Sequence, residues 1–522
     1  MLLVTDSPIS AKVEKMRDRV RWQHAAIQKR RIDQTRLCID DGHSNAHKFS
    51  FLVLGDSGTG RYRGDSPQRR VAQLMHPHDA DSRFILHTGD VVYLVGSRDQ
   101  YFENFINPYR EYLVGGQHPK KIAYDQMTFH KPLLPSPGNH DYYNVPVWLG
   151  LLSVASRPFQ RLIRSYVDLD ISWHGSYTGD TYARAFIDYL RGLSEEQLDS
   201  HLDKHYTAHY QDYRCLRYTP GEFTRLPNRY YSFHYGGIDF ISLDSNTLNA
   251  PLPLPDNNDG VESRQRLSNR LEQLKQQKTE LLSIKTETAQ DDDDHIDDLI
   301  GKVEQIDEQI RDIEKQLETS TKEQSVDTEQ LDWLRRQLIE SWTNPAVRGR
   351  ILYFHHPPYV TEATKWNQSQ TLAVRHRLRQ VFEGVRQTLG ERLQGRAVVD
   401  LVINGHAHCL EHIKTHPSSL ADANINYLIC GGSGYSLRRQ RPEGPEISED
   451  IDGNVRPVAK SHLFVGRHGH GSHKHRPYSC VRIDVDTTET NCSPKITVNP
   501  LVIDKYHGQW SDQSHSPIEL TY

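Results

Sequence analysis

Residues 49–58 read FSFLVLGDSG: six residues of nearly unbroken apolar character that stop at Gly55-Asp56. A short apolar run of this kind is expected to form a strand buried in a sheet, with the polar residues behind it on the loop at its C-terminal end. The arrangement recurs. Phe84–His87 runs into Gly89-Asp90, and Leu134–Pro137 leads into Gly138-Asn139-His140-Asp141. Ile351–Phe354 and Val398–Ile403 are further candidates, each ending in histidine. Tyr231–Leu243 (YSFHYGGIDFISL) reads as a hairpin of two strands turning at Gly236-Gly237, and Ile425–Ile429 and Ser479–Val485 complete the series. Short strands that each deliver polar residues past their C-terminal ends are how an α/β sheet builds a site.

The bulk properties narrow the function. At 522 residues the chain can hold more than one domain, or one large domain with insertions. A net charge of −5 argues against a general nucleic-acid binder, so no nucleic-acid partner is expected. Six cysteines are scattered without a Cys-x-x-Cys pair, which reads as buried thiols rather than a disulfide framework. The N-terminus has only a short apolar run, and no stretch approaches the roughly 20 apolar residues of a membrane span. The expectation is a soluble, cytoplasmic protein.

Two segments differ from the sheet-forming blocks. From Ala11 to Arg36 the chain is charged, with Val13, Met16, Val20 and Trp22 in a loose helical pattern, predicting an N-terminal helical extension over residues 1–47. From Gly260 to Thr319 there is no aromatic residue or proline. Leu267, Leu271, Leu274, Lys278 and Leu281 form one heptad seam; Leu299, Val303, Ile306, Ile310, Ile313 and Leu317 form a second. The acidic run Asp291–Asp294 falls where the second helix would start, and suits its dipole. These seams predict an antiparallel coiled-coil hairpin, inserted over 256–327 and projecting on the order of 35–40 Å from the body. Such an arm could hold a protein partner or a second copy of the chain. The flanking halves, 48–255 and 328–522, then form one domain, with an aromatic-rich insertion at about 145–225 that either caps the site or packs as helices.

Five blocks carry chemistry: Gly55-Asp56-Ser57-Gly58, Gly89-Asp90-Val91-Val92-Tyr93, Gly138-Asn139-His140-Asp141, His355-His356-Pro357-Pro358-Tyr359 and Gly405-His406-Ala407-His408. Carboxylate, amide, imidazole and phenolate donors suit Fe, Zn or Mn better than a thiolate site would. The set resembles the calcineurin-like metallophosphoesterase superfamily, and more narrowly its purple acid phosphatase branch. That superfamily opens with Asp-x-His; here Gly58 replaces the histidine, and Tyr93, three residues after Asp90, makes up the lost ligand as in the purple acid phosphatases. The resemblance implies a four-layer α/β/β/α sandwich and two metal ions, Fe with Fe, Zn or Mn. It implies that Asp56, Tyr93 and His408 bind the first ion, that Asn139, His355 and His406 bind the second, and that Asp90 bridges them. His140 would face the phosphate as donor or acid.

The implied reaction is hydrolysis of phosphate esters by a metal-activated hydroxide, most simply of monoesters on a small molecule or lipid. The alternatives are a phosphodiesterase acting on nucleotides or phospholipid head groups, and an idle interaction protein working through its arm. The sequence departs from the branch in one respect: Tyr359–Trp366 lacks the further histidines that assist the leaving group. Lys365, Asp141, Glu362 or the extra loop could take their place. Arg438, Arg439 and Arg441 read as a solvated basic loop, and the histidine-rich stretch Arg467–His475 as a polar loop before a strand.

Overall fold

In the computed structural model, which describes residues 4–59, 66–144, 175–287, 293–319, 325–451, 453–489 and 493–522, two mixed sheets carry the architecture. The strands in chain order are β1 Ile32–Ile39, β2 Lys48–Leu54, β3 Ser82–His87, β4 Leu133–Pro135, β5 Ala208–Tyr210, β6 Tyr213–Tyr218, β7 Tyr231–Tyr235, β8 Ile238–Ser242 and β9 Gly349–Phe354. They continue as β10 Leu401–Asn404, β11 Leu410–Thr415, β12 Asn426–Cys430, β13 Glu446–Ile451, β14 Asn454–Val465, β15 His475–Asp486, β16 Lys495–Tyr506, β17 Gln509–Gln513 and β18 Ile518–Glu519. The larger sheet runs β13-β14-β11-β12-β10-β9-β8-β7-β1-β6-β5, and the smaller β17-β16-β15-β2-β3-β4 with β18 on β16. The helices are α1 Ile9–Arg19, α2 Ala25–Lys29, α3 Pro67–Asp79, α4 Asp180–Phe186, α5 Glu195–His205, α6 Asn258–Glu287, α7 Asp293–Glu318, α8 Thr328–Thr343 and α9 Ser369–Leu389.

Side-chain alternation along the strands divides the interior into two layers. On β9, Ile351 and Tyr353 point to the space between the sheets, while Leu352 and Phe354 point to the outer helices; on β10, Leu401 and Ile403 divide from Val402 in the same way. The inter-sheet layer is rich in rings: Phe51 meets Phe240 at 5.4 Å and Phe84 meets Phe233 at 5.5 Å, both edge to face. Behind the larger sheet, Trp333, Leu334 and Leu338 of α8 and Val374, Leu378 and Phe382 of α9 fill the second layer. Helix α3 packs on the smaller sheet, which completes the α/β/β/α sandwich. Among the described residues no helix is long and apolar enough to cross a membrane.

Three expectations need correcting. The helical pattern of the N-terminal segment stops at α2, and Ile32–Ile39 is a strand between β7 and β6, parallel to both. Its charged residues hid it: Arg36 is buried with its guanidinium 3.6 Å from the Tyr210 ring centroid and 3.7 Å from Glu340. The aromatic-rich stretch enters the body where it is described: β5 and β6 extend the larger sheet, and Tyr182 and Tyr206 are buried with their hydroxyls on Pro135 O and Asp188. Trp148 and Trp173 lie outside the described residues.

The third correction concerns the inserted helices. α6 and α7 run antiparallel and pack through Leu267, Leu271, Leu274 and Leu281 against Ile306, Ile310, Ile313 and Leu317. Lys278, the charged residue in the first seam, is buried against Asp307. The pair does not project freely, because the opposite face of α7 lies on the body. Asp312 accepts from the Ser369 amide at 2.8 Å, Glu308 meets Lys365 at 2.7 Å, and Lys315 meets Asp6 at 2.6 Å. A heptad seam specifies one face of a helix and leaves the other unspecified.

One buried acid outside the metal-ligand set offers a stability test. Glu411 on β11 accepts the Thr361 amide at 3.0 Å, and burial pushes its carboxyl up to about 7. The folded value lies above the unfolded one, so the native state keeps a proton that the unfolded chain releases between about pH 4.5 and 7. Stability contributed by this group therefore falls as pH rises through that window. Glu411→Gln is expected to flatten that slope and to gain about 2 kcal/mol at alkaline pH relative to the native chain. Chemical denaturation on both sides of the window checks it; an unchanged slope refutes it.

Candidate metal centre

The five polar blocks sit at the C-terminal ends of β2, β3, β4, β9 and β10, on facing edges of the two sheets. Three residues turn back over the strand ends in left-handed backbone: Asp56 at φ 51°, Asp90 at 55° and His406 at 65°. Such conformations cost energy in non-glycine residues and cluster at functional sites. Close packing there requires glycine. A Cβ on Gly138 would stand 2.1 Å from Asp90 Oδ1, and one on Gly405 2.6 Å from Asp56 Oδ2.

The side chains gather into two foci. At the first, Tyr93 Oη lies 3.1 Å from Asp56 Oδ1, 2.8 Å from Asp90 Oδ2 and 3.1 Å from His408 Nε2. At the second, Asn139 Oδ1 lies 2.8 Å from His355 Nε2 and 2.9 Å from His406 Nδ1. Asp90 Oδ2 belongs to both, being also 3.3 Å from His355 Nε2. All seven residues are buried.

Four of the donors are oriented from behind. His355 Nδ1 faces Thr88 O at 2.8 Å and His408 Nδ1 faces Ser436 O at 3.0 Å, so each Nδ1–H donates and each Nε2 is aimed at its focus. Asp56 Oδ2 accepts the His406 amide and Asp90 Oδ1 accepts the His140 amide, both at 2.8 Å, which leaves the other oxygen of each carboxylate for the foci. Asp141 works from further back, accepting the amides of Gly138 and Asp90 at 2.8 and 3.0 Å. Its carboxyl is pushed up by burial and by Asp90.

The electrostatics fit a cation at each focus. Burial raises the Tyr93 phenol far above its usual range, and the Asp90 and Asp56 carboxylates add to it. Burial alone would lower His355, yet Asp90 raises it to about 9. Burial holds His406 far below its usual value, and Lys365 and the neighbouring imidazoles act in the same direction. Protons on Tyr93 and His355 thus stand where positive charge is needed, and a metal ion would displace them. The His355 Nε2 and His406 Nδ1 atoms are 3.2 Å apart, and Asn139 Nδ2 is buried without a hydrogen bond. An oxygen-and-imidazole donor set of this kind suits Fe, Zn or Mn.

His140 stands at the mouth. Its Nδ1 faces Leu94 O at 2.6 Å, its ring packs 4.1 Å from that of Tyr93, and its Nε2 is buried without a hydrogen bond. His356 packs against the second focus, its ring centroid 4.5 Å from that of His406, and it could share an ion with His355 and His406, but its two nitrogens also meet Ser245 Oγ at 2.8 Å and Asn249 Nδ2 at 3.2 Å. Lys365 Nζ lies 3.1 Å from His406 Nε2, whereas Glu362 is held by Thr364. Arg438, expected in a solvated loop, is buried with its side chain on Ser436. Sequence reasoning missed Glu304, Glu308 and Arg311, which α7 brings over the mouth. Their signal was a second stripe at helical spacing, ending in Lys315, opposite the apolar seam. A small cleft lined by Tyr143, Asn249, Glu308, Arg311 and Gln370 leads to His406.

No family model matches the chain, and no curated protein matches it in sequence. Among solved structures it is similar to a purple acid phosphatase isolated from yellow lupin (Lupinus luteus) seeds, at 11% identity and a TM-score of 0.38 over 90% of this chain. The chain spans 54% of that protein's length. It is also similar to GAP50, the anchor in the inner membrane complex of Plasmodium, at 12% identity and a TM-score of 0.41 over 91% of this chain and 88% of that one. PhoD matches at 11% identity and a TM-score of 0.36 over 91% and 69%. Likenesses this faint bear no functional weight; the side chains at the two foci do.

Proposed function

We propose that this chain is a metal-dependent phosphoesterase of the calcineurin-like superfamily, on its purple acid phosphatase-like branch, and that it hydrolyses phosphate monoesters. The observation that carries the reading is the shared Asp90 Oδ2, within 2.8 Å of Tyr93 Oη on one side and 3.3 Å of His355 Nε2 on the other. Asp56, Tyr93 and His408 would hold one ion, Asn139, His355 and His406 the other, and Asp90 both; Fe with Fe, Zn or Mn fits these donors. Bound there, such a pair supplies Lewis-acid activation of water and neutralises phosphoryl charge.

The protein's own groups do the rest. His140, anchored through Nδ1 on Leu94 O, presents Nε2 to a phosphoryl or leaving-group oxygen. Proton transfer from a group so placed typically contributes about 10²–10⁴-fold. The Lys365 ammonium beside His406 supplies positive charge where the further histidines of the branch are missing. Burial of every donor keeps bulk water from competing with substrate and strengthens each charge interaction.

The deciding experiment is hydrolysis of an aryl phosphate monoester and the matching diester by the full chain, with Fe, Zn or Mn supplied in turn. Metal-dependent turnover with the monoester favoured supports the reading. Preference for the diester moves it to the phosphodiesterase alternative, and a chain that binds no ions overturns it. A spectroscopic prediction accompanies it. With ferric iron bound, Tyr93 is expected to give the violet absorption of a phenolate ligand, and Tyr93→Phe to remove it while His408 and Asp56 still retain iron. A colourless, iron-free and fully active chain would refute the assignment of Tyr93.

A further inference from the structure

We propose that the inserted hairpin brings a cation site of its own: His140 from the body with Glu304 and Glu308 from α7, taking a divalent transition-metal ion that fastens α7 over the two foci. The three ligand atoms lie together, His140 Nε2 being 3.9 Å from Glu304 Oε1 and 3.8 Å from Glu308 Oε1. The residues are 1%, 8% and 6% exposed. His140 Nε2 and both oxygens of Glu304 accept or donate no hydrogen bond.

Separation and charge both point to an ion. A direct imidazolium–carboxylate hydrogen bond closes to about 2.7–2.9 Å, and these contacts are roughly 1 Å longer. Ligands sharing a tetrahedral ion at about 2.1 Å stand about 3.4 Å apart, so an inward shift of a few tenths of an ångström completes the site. Lys365 meets Glu308 through Oε2, leaving Oε1 for the ion. Glu304 has no lysine of this kind, and what stands beside it is the neutral Tyr435 hydroxyl. Arg438 is near it, but its Nη1 is on Ser436, and Arg311 lies over the Tyr143 ring. A buried carboxylate without a lysine or arginine in ion-pair contact is costly, and an ion removes that cost. Two carboxylates and one imidazole suit Zn or Mn.

The site spans two parts of the chain that share no strand, so filling it couples ion binding to the position of the hairpin. His140 cannot hold this ion and reach a phosphoryl oxygen at once. The loaded site is therefore the covered state, and substrate competes with it.

Metal counting on the full chain tests the proposal. After loading with Zn²⁺ or Mn²⁺ and desalting, Glu304→Gln/Glu308→Gln is expected to carry one ion fewer per chain than the native protein. The same decrement is expected on an Asp90→Asn background. Loss of the hairpin ion and failure of the dinuclear reading are thus separated. Trypsin gives a second readout: added cation should slow cleavage within residues 258–318 about tenfold in the native chain and leave the double variant unaffected. Should the double variant not fold, Glu304→Gln alone is expected to weaken binding of the last ion at least tenfold. Equal ion counts, or protection that ignores the cation, overturn the site and leave an ion-free imidazole–carboxylate cluster.

Discussion

Asp90→Asn is expected to lower turnover of an aryl phosphate monoester by on the order of 10²–10³-fold, the loss typical when one charge-stabilising group leaves a preorganised site. Asp90 does two things that asparagine cannot do together. Its Oδ2 faces Tyr93 and His355 at once, while its Oδ1 accepts the His140 amide. Against the cost of burial, His355 and His140 hold this carboxyl below the usual range, so it stands ionised at any working pH. An asparagine of the same shape keeps one neutral oxygen and turns an amide nitrogen to the other side. Either the bridge or the His140 anchor is lost. Steady-state assays with saturating metal would show the effect in kcat. A variant that keeps native turnover would remove Asp90 from the reaction and with it the dinuclear reading.

Arg229→Met is expected to cost about 3–5 kcal/mol of stability, the penalty for stripping one partner from a fully buried ion cluster. Arg229 is 2% exposed and joins Asp244, Thr247 and Asp327 in one network. Asp327 caps α8 by accepting the Gln330 amide at 3.3 Å, and Asp244 accepts the Tyr142 hydroxyl at 2.7 Å. Asn246, beside them, donates to Pro137 O at 2.9 Å. Removing the guanidinium leaves two buried carboxylates facing one another next to the loop that carries Asn139 and His140. A fall in the denaturation midpoint, with a rise in KM larger than any change in metal content, is the expected pattern. A midpoint unchanged within error would show that water replaces the guanidinium.

The loops at the foci were legible because each follows a short apolar run of the kind expected in a buried strand, as Phe49–Leu54 and Ile351–Phe354 show. The choice of His355 over His356 rested on the resemblance alone; the two rings lie 5.0 Å apart, His355 meeting Asn139 while His356 meets Ser245 and Asn249. β1 was not legible. Ile32–Ile39 mixes Asp33, Gln34 and Arg36 with apolar residues, and the partners that make burying Arg36 tolerable, the Tyr210 ring and Glu340, lie far along the chain. The seat of α7 was not legible either. Its apolar seam predicted a helical pair, but nothing local assigned a role to Glu304, Glu308, Arg311 and Lys315, whose partners come from the body. Charges acquire meaning from tertiary neighbours, which local spacing does not reveal.

The seating of β2 has a consequence for how the molecule comes off the ribosome. Its register partner on one side is β3, close behind in the chain, but on the other it is β15, roughly four hundred residues later. At about 5–20 residues per second, translation leaves that edge of β2 unpaired for some tens of seconds. During that interval the strand delivering Asp56 is an open template for another chain. Shielding the half-made sheet is therefore a demand on the cell as well as on the sequence, and truncations before residue 475 are expected to aggregate rather than yield a smaller working protein.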